Sequence, residues 1–145
     1  MRILLTLFSI VTFLVTPKLT LAENIQIEFT EYDSYSSEVT LINIGDSIEW
    51  LPTNEGHNVE FLAGPKISAL PSKSEIDAFY SVVFKVPGVY LYQCSPHGNM
   101  GMLGLIVVDN DFHNLDSIEK IQLSRVASSV IKRLIRIAQS KANSL

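Results

Sequence analysis

The sequence contains one cysteine, Cys94, among its 145 residues. A single cysteine excludes an internal disulfide framework, and it excludes a zinc ribbon or iron–sulfur cluster built from several cysteines of this chain. Runs of basic residues are also absent, and the pI is about 5.3. Because nucleic-acid-binding proteins usually have the opposite charge balance, we expect no nucleic-acid partner.

Long apolar runs are equally scarce. The longest one, residues 3–15, spans 13 positions that are apolar except for two threonines and a serine, between Arg2 and a Pro17-Lys18 break. A membrane-spanning helix needs roughly 20 apolar residues, whereas a charged start, a short apolar stretch and a small residue such as Ala22 are typical of a secretory signal. We therefore predict a cleaved signal peptide at residues 1–22, export to the periplasm and no stable membrane insertion.

The remaining chain is long enough for one globular domain, and its charge is uneven. Residues 23–119 contain all 15 acidic side chains and three lysines, whereas residues 120–145 contain six basic side chains and no acid. An acidic body therefore carries a basic tail.

Short segments of strand-like composition, separated by turn residues, fill most of the body. They lie at residues 25–30, 39–44, 47–51, 57–61, 80–86, 89–94 and 103–108. Regularly spaced short strands of this kind predict an all-β sandwich or barrel. We assign residues 23–112 to this β-domain.

The tail, residues 113–145, changes to helical periodicity. Asn114 and Ser124 are candidate N-caps for two helices, at residues 115–123 and from 125 to about 141. The second has an apolar stripe made of Val126, Val130, Leu134 and Ile137. We expect it to pack on an exposed face of the sandwich; the alternative is a basic amphipathic helix on a membrane surface.

The chemistry is concentrated between the last two predicted strands. Within nine residues this loop contains Cys94, His97, Met100 and Met102, and His57 precedes an earlier strand. Two histidines, one cysteine and a weak axial methionine are the ligand set of a blue-copper electron-transfer site. Zinc is the chemical alternative, but a thioether is a poor zinc ligand and favours copper.

Other roles fit these residues less well. A cysteine nucleophile needs a base and an oxyanion hole, often at a helix N-terminus, but Cys94 ends a strand, so we predict no enzyme. A periplasmic copper carrier or storage protein is the alternative function, yet such sites are commonly rich in methionine or histidine and the sequence has three methionines. His113 is far from the cluster in sequence, and we interpret it as a surface residue.

These motifs resemble the pseudoazurins, a bacterial periplasmic group within the cupredoxin family. The matching segments are residues 56–60, 87–90, 94–104 and 114–115. The resemblance implies an eight-stranded Greek-key sandwich with two C-terminal helices packed on it. It also implies one type 1 copper ion held by His57, Cys94, His97 and Met102, with Met100 as a neighbour.

The resemblance implies further roles as well. Asn58 would connect the two ligand segments and support the thiolate by hydrogen bonding. Electrons would pass through the edge of His97 in a monomeric one-electron carrier, whose partners, such as c-type cytochromes and copper nitrite reductase, dock nearby. The chain departs from the family at Glu55 and Gln93, where lysine is frequent, so a basic partner surface becomes plausible.

Overall fold

The computed structural model describes residues 21–144, which form two packed β-sheets and two C-terminal helices. The predicted leader lies outside the described residues except for its last two positions. The strands are β1 (Asn24–Glu28), β2 (Val39–Ile42), β3 (Ser47–Leu51), β4 (Glu60–Ala63), β5 (Tyr80–Val83), β6 (Gly88–Gln93) and β7 (Leu103–Val108). The helices are α1 (Leu115–Glu119) and α2 (Arg125–Ala142), and short 3₁₀ turns occur at Ile67–Ala69 and Gly98–Met100.

Both sheets are mixed. One has the strand order β1-β3-β5 and the other β2-β7-β6-β4. β1 runs parallel to β3, and β2 runs parallel to β7, while the other neighbours are antiparallel. The predicted β-sandwich with two C-terminal helices is confirmed, although residues 21–144 contain seven strands instead of the eight that the resemblance implied.

The strand predicted at residues 57–61 begins three residues late, at Glu60. The preceding backbone is bonded to a loop instead of a neighbouring strand: the His57 carbonyl accepts from Asp77 N, and the Val59 carbonyl accepts from Ser74 N. Strands β3 and β7 have the predicted bounds. The loop after β3 therefore continues through His57 and delivers that side chain before the sheet resumes.

An aromatic cluster fills the space between the sheets. Tyr92 lies at its centre, with ring centroids 4.8 Å from Tyr35, 5.4 Å from Trp50 and 5.7 Å from Phe61. Cys94 and Met102 belong to the same buried cluster. The sulfur-containing residues of the predicted site are thus set into the main core.

The two predicted helix starts have different outcomes. The Ser124 side chain accepts a hydrogen bond from Ala127 N, as an N-cap should. Asn114 precedes α1, but its side chain does not cap the helix. It bonds instead to the N–H and the carbonyl of Val89, both at 2.8 Å, because this buried strand start offers two backbone partners. Helix α1 also ends at Glu119, four residues earlier than predicted.

Helix α2 packs on the β2-β7-β6-β4 sheet, as expected. Leu134 of the predicted stripe is buried and Val130 and Ile137 are partly buried there, but the buried face is shifted away from Val126. Its buried residues are Ala127, Ile131, Leu134, Ile135 and Ala138, whereas Val126 of the predicted stripe is 53% exposed. Arg133 also forms a bidentate ion pair with Glu38, at 2.7 and 2.9 Å. The apolar face of α2 is therefore occupied by the sheet. None of the helices within residues 21–144 has the length and hydrophobicity to span a membrane.

A cross-strand pair in this fold permits a direct test of packing. Gly104 lies opposite Tyr92, and a Cβ on Gly104 would overlap the Tyr92 ring. Since the aromatic neighbours of Tyr92 leave that ring little room to move, we expect Gly104→Ala to lower the free energy of unfolding by about 1–3 kcal/mol. Thermal or urea unfolding measures this change. In a Tyr92→Leu background the same substitution should cost much less, and an equal cost in both backgrounds would contradict the proposed overlap.

Candidate metal centre

Backbone hydrogen bonds within the loop between β6 and β7 fix its conformation. The carbonyl of Cys94 accepts from His97 N at 3.2 Å and from Gly98 N at 2.7 Å. Met102 closes the loop, because its carbonyl accepts from Cys94 N at 3.1 Å and its N–H donates to the His97 carbonyl at 3.2 Å. Gly101 has a φ of 107°, which L-residues rarely adopt. Cys94, His97 and Met102 are thereby held as one rigid unit.

His57 reaches the same place from the loop before β4. The carboxylate of Asp77 accepts from Gly56 N at 2.6 Å and from His57 N at 3.2 Å, and Asp77 N donates to the His57 carbonyl at 2.9 Å. These contacts fix the backbone on both sides of the imidazole. The side chain is 3% exposed.

Three donor atoms from these segments converge. Cys94 Sγ lies 3.7 Å from His57 Nδ1 and 3.5 Å from His97 Nδ1, and the two Nδ1 atoms are 3.1 Å apart. Donors bound to one ion at about 2.0–2.3 Å lie roughly 3–4 Å apart. The spacing therefore fits a single metal ion, and the three residues form a metal-binding cluster among the described residues.

The two methionines of the loop differ in their surroundings. Met102 is 2% exposed and shares the core cluster with Cys94, whereas Met100 is 63% exposed. The burial of Met102 and its backbone bonds to Cys94 and His97 favour it over Met100 as the axial ligand. His113 is half exposed and bonds to Asp111, so its predicted surface position is confirmed.

Asn58 connects the two ligand segments. Its Oδ1 accepts from Ser95 N at 2.7 Å, and its Nδ2 donates to Ser95 Oγ at 3.0 Å and to the Ser74 carbonyl at 3.3 Å. Ser95 Oγ in turn donates to Glu60 at 3.0 Å, and Gln93 Nε2 donates to the same carboxylate oxygen at 2.9 Å. The segment containing His57 is thus tied to the segment containing Cys94.

The protonation of the donor groups follows from their burial. Desolvation raises the pKa of the Cys94 thiol, while the backbone N–H groups of Asn58 and His97 oppose the rise. Desolvation, followed by the neighbouring His97 ring, lowers the pKa of His57. His57 is therefore biased toward the neutral imidazole that binds metals.

Two acidic residues at the cluster were not predicted. Asp77 positions the His57 backbone, and Asp33 has an Oδ1 atom 3.7 Å from His57 Nε2 and 3.7 Å from His97 Nδ1. Each belongs to a loop at least 20 residues from His57 in sequence. No local motif identifies such contacts, because they depend on how the loops meet.

The profile of the "copper binding proteins, plastocyanin/azurin family" matches residues 24–109. The chain belongs to this family of copper-binding proteins. The match contains the three clustered donors and Met102. The copper cofactor expected from the sequence therefore agrees with the family, and the donor set fits that ion.

Individual relatives of this plastocyanin/azurin-family protein are pseudoazurins. A putative pseudoazurin of Rhizobium leguminosarum bv. viciae is 40% identical over 91 residues, which cover 62% of this chain and 58% of the relative. The pseudoazurin of Methylorubrum extorquens is 37% identical over 83 residues, with 57% and 56% covered. The chain thus aligns with under two thirds of the length of these curated relatives.

Solved structures extend the likeness. The pseudoazurin from Methylobacterium extorquens AM1 superposes with a TM-score of 0.69 at 28% identity, covering 81% of this chain and 98% of that one. A Sinorhizobium pseudoazurin gives a TM-score of 0.69 at 27% identity, with 77% and 93% covered. The structural match thus extends over most of both chains.

The network beside the cluster makes stability depend on pH. The hydrogen bond from Gln93, with smaller contributions from Ser95 and Lys73, lowers the pKa of Glu60 below its ordinary 4.5 although burial acts in the opposite direction. Because the folded-state pKa is depressed, the contribution of Glu60 to stability is present above pH 4.5 and is lost as pH falls through the folded-state value.

We therefore expect the free energy of unfolding to fall less in Glu60→Gln than in the wild type as the pH is lowered from about 6 to 3. Urea unfolding across this range measures the difference. Glu119→Gln, which removes an exposed charge on α1, serves as a control and should follow the wild-type curve more closely. Parallel curves for wild type and Glu60→Gln would contradict the role of this carboxylate.

Proposed function

We propose that the protein is a one-electron carrier with a type 1 copper site formed by His57, Cys94, His97 and Met102. The convergence of two imidazole nitrogens and one thiol sulfur within 3.7 Å carries this proposal. The buried Met102 beside them supplies the soft, weak ligand expected along the axis of such a site.

When bound, copper supplies the one-electron Cu(II)/Cu(I) couple. The contribution of the chain is a donor set that suits both oxidation states and a frame that keeps the donors in place. The hydrogen bonds that the side chains of Asp77 and Asn58 accept, together with those within the ligand-loop backbone, supply that frame. A frame that does not have to rearrange between the two states keeps the reorganisation on electron transfer small.

The burial of the donors supports a carrier of electrons over a carrier of copper. Cys94 is fully buried, Met102 is 2% exposed and His57 is 3% exposed. A storage or delivery protein needs donors that an acceptor can reach and exchange. The side chain of His97, at 23% exposed, is the most open of the four, so we infer that electrons enter and leave through its outer edge.

We infer that redox proteins dock around His97, next to the exposed Met100 side chain. The charges nearby favour a basic partner: Asp33 and Asp77 contact the histidine segments, and the exposed Glu55 adjoins Gly56. Two cations lie near the same segments: Arg125 at the start of α2, whose Ser124 bonds to the ligand loop, and Lys73, which acts on Glu60. Acidic side chains outnumber these two cations. A positively charged c-type cytochrome is the class of partner we favour, and a copper nitrite reductase is a second candidate.

The proposed location is the periplasm. The charged start, short apolar stretch and small residues of the first 22 positions support export. Binding of the single Cys94 to a metal would also explain how an unpaired cysteine persists in an oxidising compartment.

Addition of Cu(II) to the purified protein tests the proposed site. We expect one equivalent to bind and an intense blue colour to develop from sulfur-to-copper charge transfer, monitored by optical and spin-resonance spectra. Cys94→Ser should abolish the colour while the sandwich stays folded. Met102→Gln should keep the copper and lower the reduction potential, because a harder axial oxygen favours Cu(II).

Met100→Leu is the matched control and should leave spectrum and potential unchanged. A colourless protein after copper addition, or preferential retention of zinc, would contradict the electron-carrier proposal. A normal spectrum and potential in Met102→Gln would remove Met102 from the ligand set.

The dependence of the electron-exchange rate on ionic strength tests the proposal of a basic partner. The rate of electron exchange with a positively charged c-type cytochrome should fall at least several-fold between about 0.01 M and 0.15 M ionic strength, where the Debye length shrinks from about 30 to 8 Å. Stopped-flow absorbance measures this rate. An acidic cytochrome should show the opposite trend, and a rate that is independent of salt would contradict electrostatic steering.

A further inference from the structure

The Asp33 carboxylate lies at the tip of a short hairpin, residues 29–35, and is close to both histidines. Its Oδ1 atom is 3.7 Å from His57 Nε2 and 3.7 Å from His97 Nδ1. These distances exceed those of hydrogen bonds. The carboxylate therefore acts on the histidine pair through its charge and position.

The hairpin fixes the backbone on both sides of Asp33. Phe29 and Tyr35 form an antiparallel bridge at its base, and both are buried. Closer to the tip, Thr30 N donates to the Ser34 carbonyl at 2.9 Å, and the two hydroxyls of Thr30 and Ser34 bond at 2.6 Å. Asp33 itself has a φ of 50°, in the left-handed region that Asp and Asn tolerate better than other side chains.

The base of the hairpin also contacts the cluster. The Tyr35 hydroxyl donates to the Asn58 carbonyl at 2.8 Å, and the Phe29 ring lies 5.8 Å from the His57 ring, edge to face. The position of Asp33 relative to the histidines is thus fixed by the same core that fixes the histidines.

Asp33 differs from the other acidic residue at the cluster. The Asp77 carboxylate accepts two backbone N–H groups, which offset part of its charge. Asp33 faces the imidazoles, and its side chain is 55% exposed. Its negative charge is therefore felt at the donor atoms, although solvent weakens it.

We propose that Asp33 sets the reduction potential of the site by stabilising the more positively charged oxidation state. A fixed negative charge favours Cu(II) over Cu(I), because the oxidised site carries one more positive charge than the site that has accepted an electron from its partner. Asp33 is a positioning and charge-supplying residue outside the ligand set. This inference rests on the proposed copper site.

Asp33→Asn tests it, since asparagine has nearly the same shape and also tolerates a positive φ. We expect the ratio of Cu(II) to Cu(I) affinities to fall about three- to tenfold, a rise in midpoint potential of up to about 59 mV. Optical redox titration at fixed pH and low salt measures the potential, and thermal unfolding checks the fold. Asp33→Gly, which also suits this backbone, should shift the potential in the same direction if the asparagine variant folds poorly.

Asp116→Asn is the matched control. Asp116 is an exposed aspartate in the first turn of α1. It lies near Asn114, which bonds to the start of β6, at the opposite end of that strand from Cys94. It should leave the potential unchanged. High salt should shrink the difference between wild type and Asp33→Asn. A blue protein whose potential is unchanged or lowered in both Asp33 variants would overturn this inference, whereas a protein that never turns blue would overturn the proposed function instead.

Discussion

The tie between Asn58 and Ser95 is the constraint on which the site depends. His57 and Cys94 are 37 residues apart, and each lies in a loop that could relax independently. The paired contacts of the Asn58 amide with the backbone and hydroxyl of Ser95 remove that freedom. Because Asn58 is buried, these bonds also avoid the cost of leaving its amide group unpaired. The donors thus converge as a consequence of folding.

The aromatic core extends this constraint beneath the donors. Tyr92 precedes Cys94 by two residues, and its ring is wedged between Tyr35, Trp50 and the bare backbone of Gly104. A ring of this size has few alternative rotamers in a packed interior. Strand β6, which leads into Cys94, therefore cannot slide or twist without disturbing the whole core. The same apolar surroundings desolvate the sulfur and raise the pKa of its thiol, which leaves a metal ion as the natural partner for the thiolate.

The sequence anticipated the features that local patterns encode. Alternation and turn residues defined β3 and β7, and the short spacing from Cys94 to Met102 indicated a ligand loop. The predicted start of β4 was wrong, because the backbone carbonyls of His57 and Val59 bond to the distant residues Asp77 and Ser74. The buried face of α2 is rotated relative to the predicted stripe, because packing against the sheet decides which side chains of the helix are covered. No sequence pattern indicated Asp33, since its contact with His57 and His97 forms only when a hairpin and two loops come together.

The charge distribution distinguishes structural from functional electrostatics. Two cations of the basic tail bond within the molecule: Arg133 pairs with Glu38, and Lys141 Nζ donates to the Val39 carbonyl on the sheet beneath α2. With the apolar face of that helix also covered, the tail has the role of a packed layer. The acidic residues at the donor cluster, Asp33 and Asp77, contact the histidine segments and also remain exposed to solvent. If the proposed electron-carrier function holds, one carboxylate at the rim, Asp33, would act both on the donors beside it and on the charge of an approaching partner. The reduction potential and the choice of partner would then depend on the same side chain.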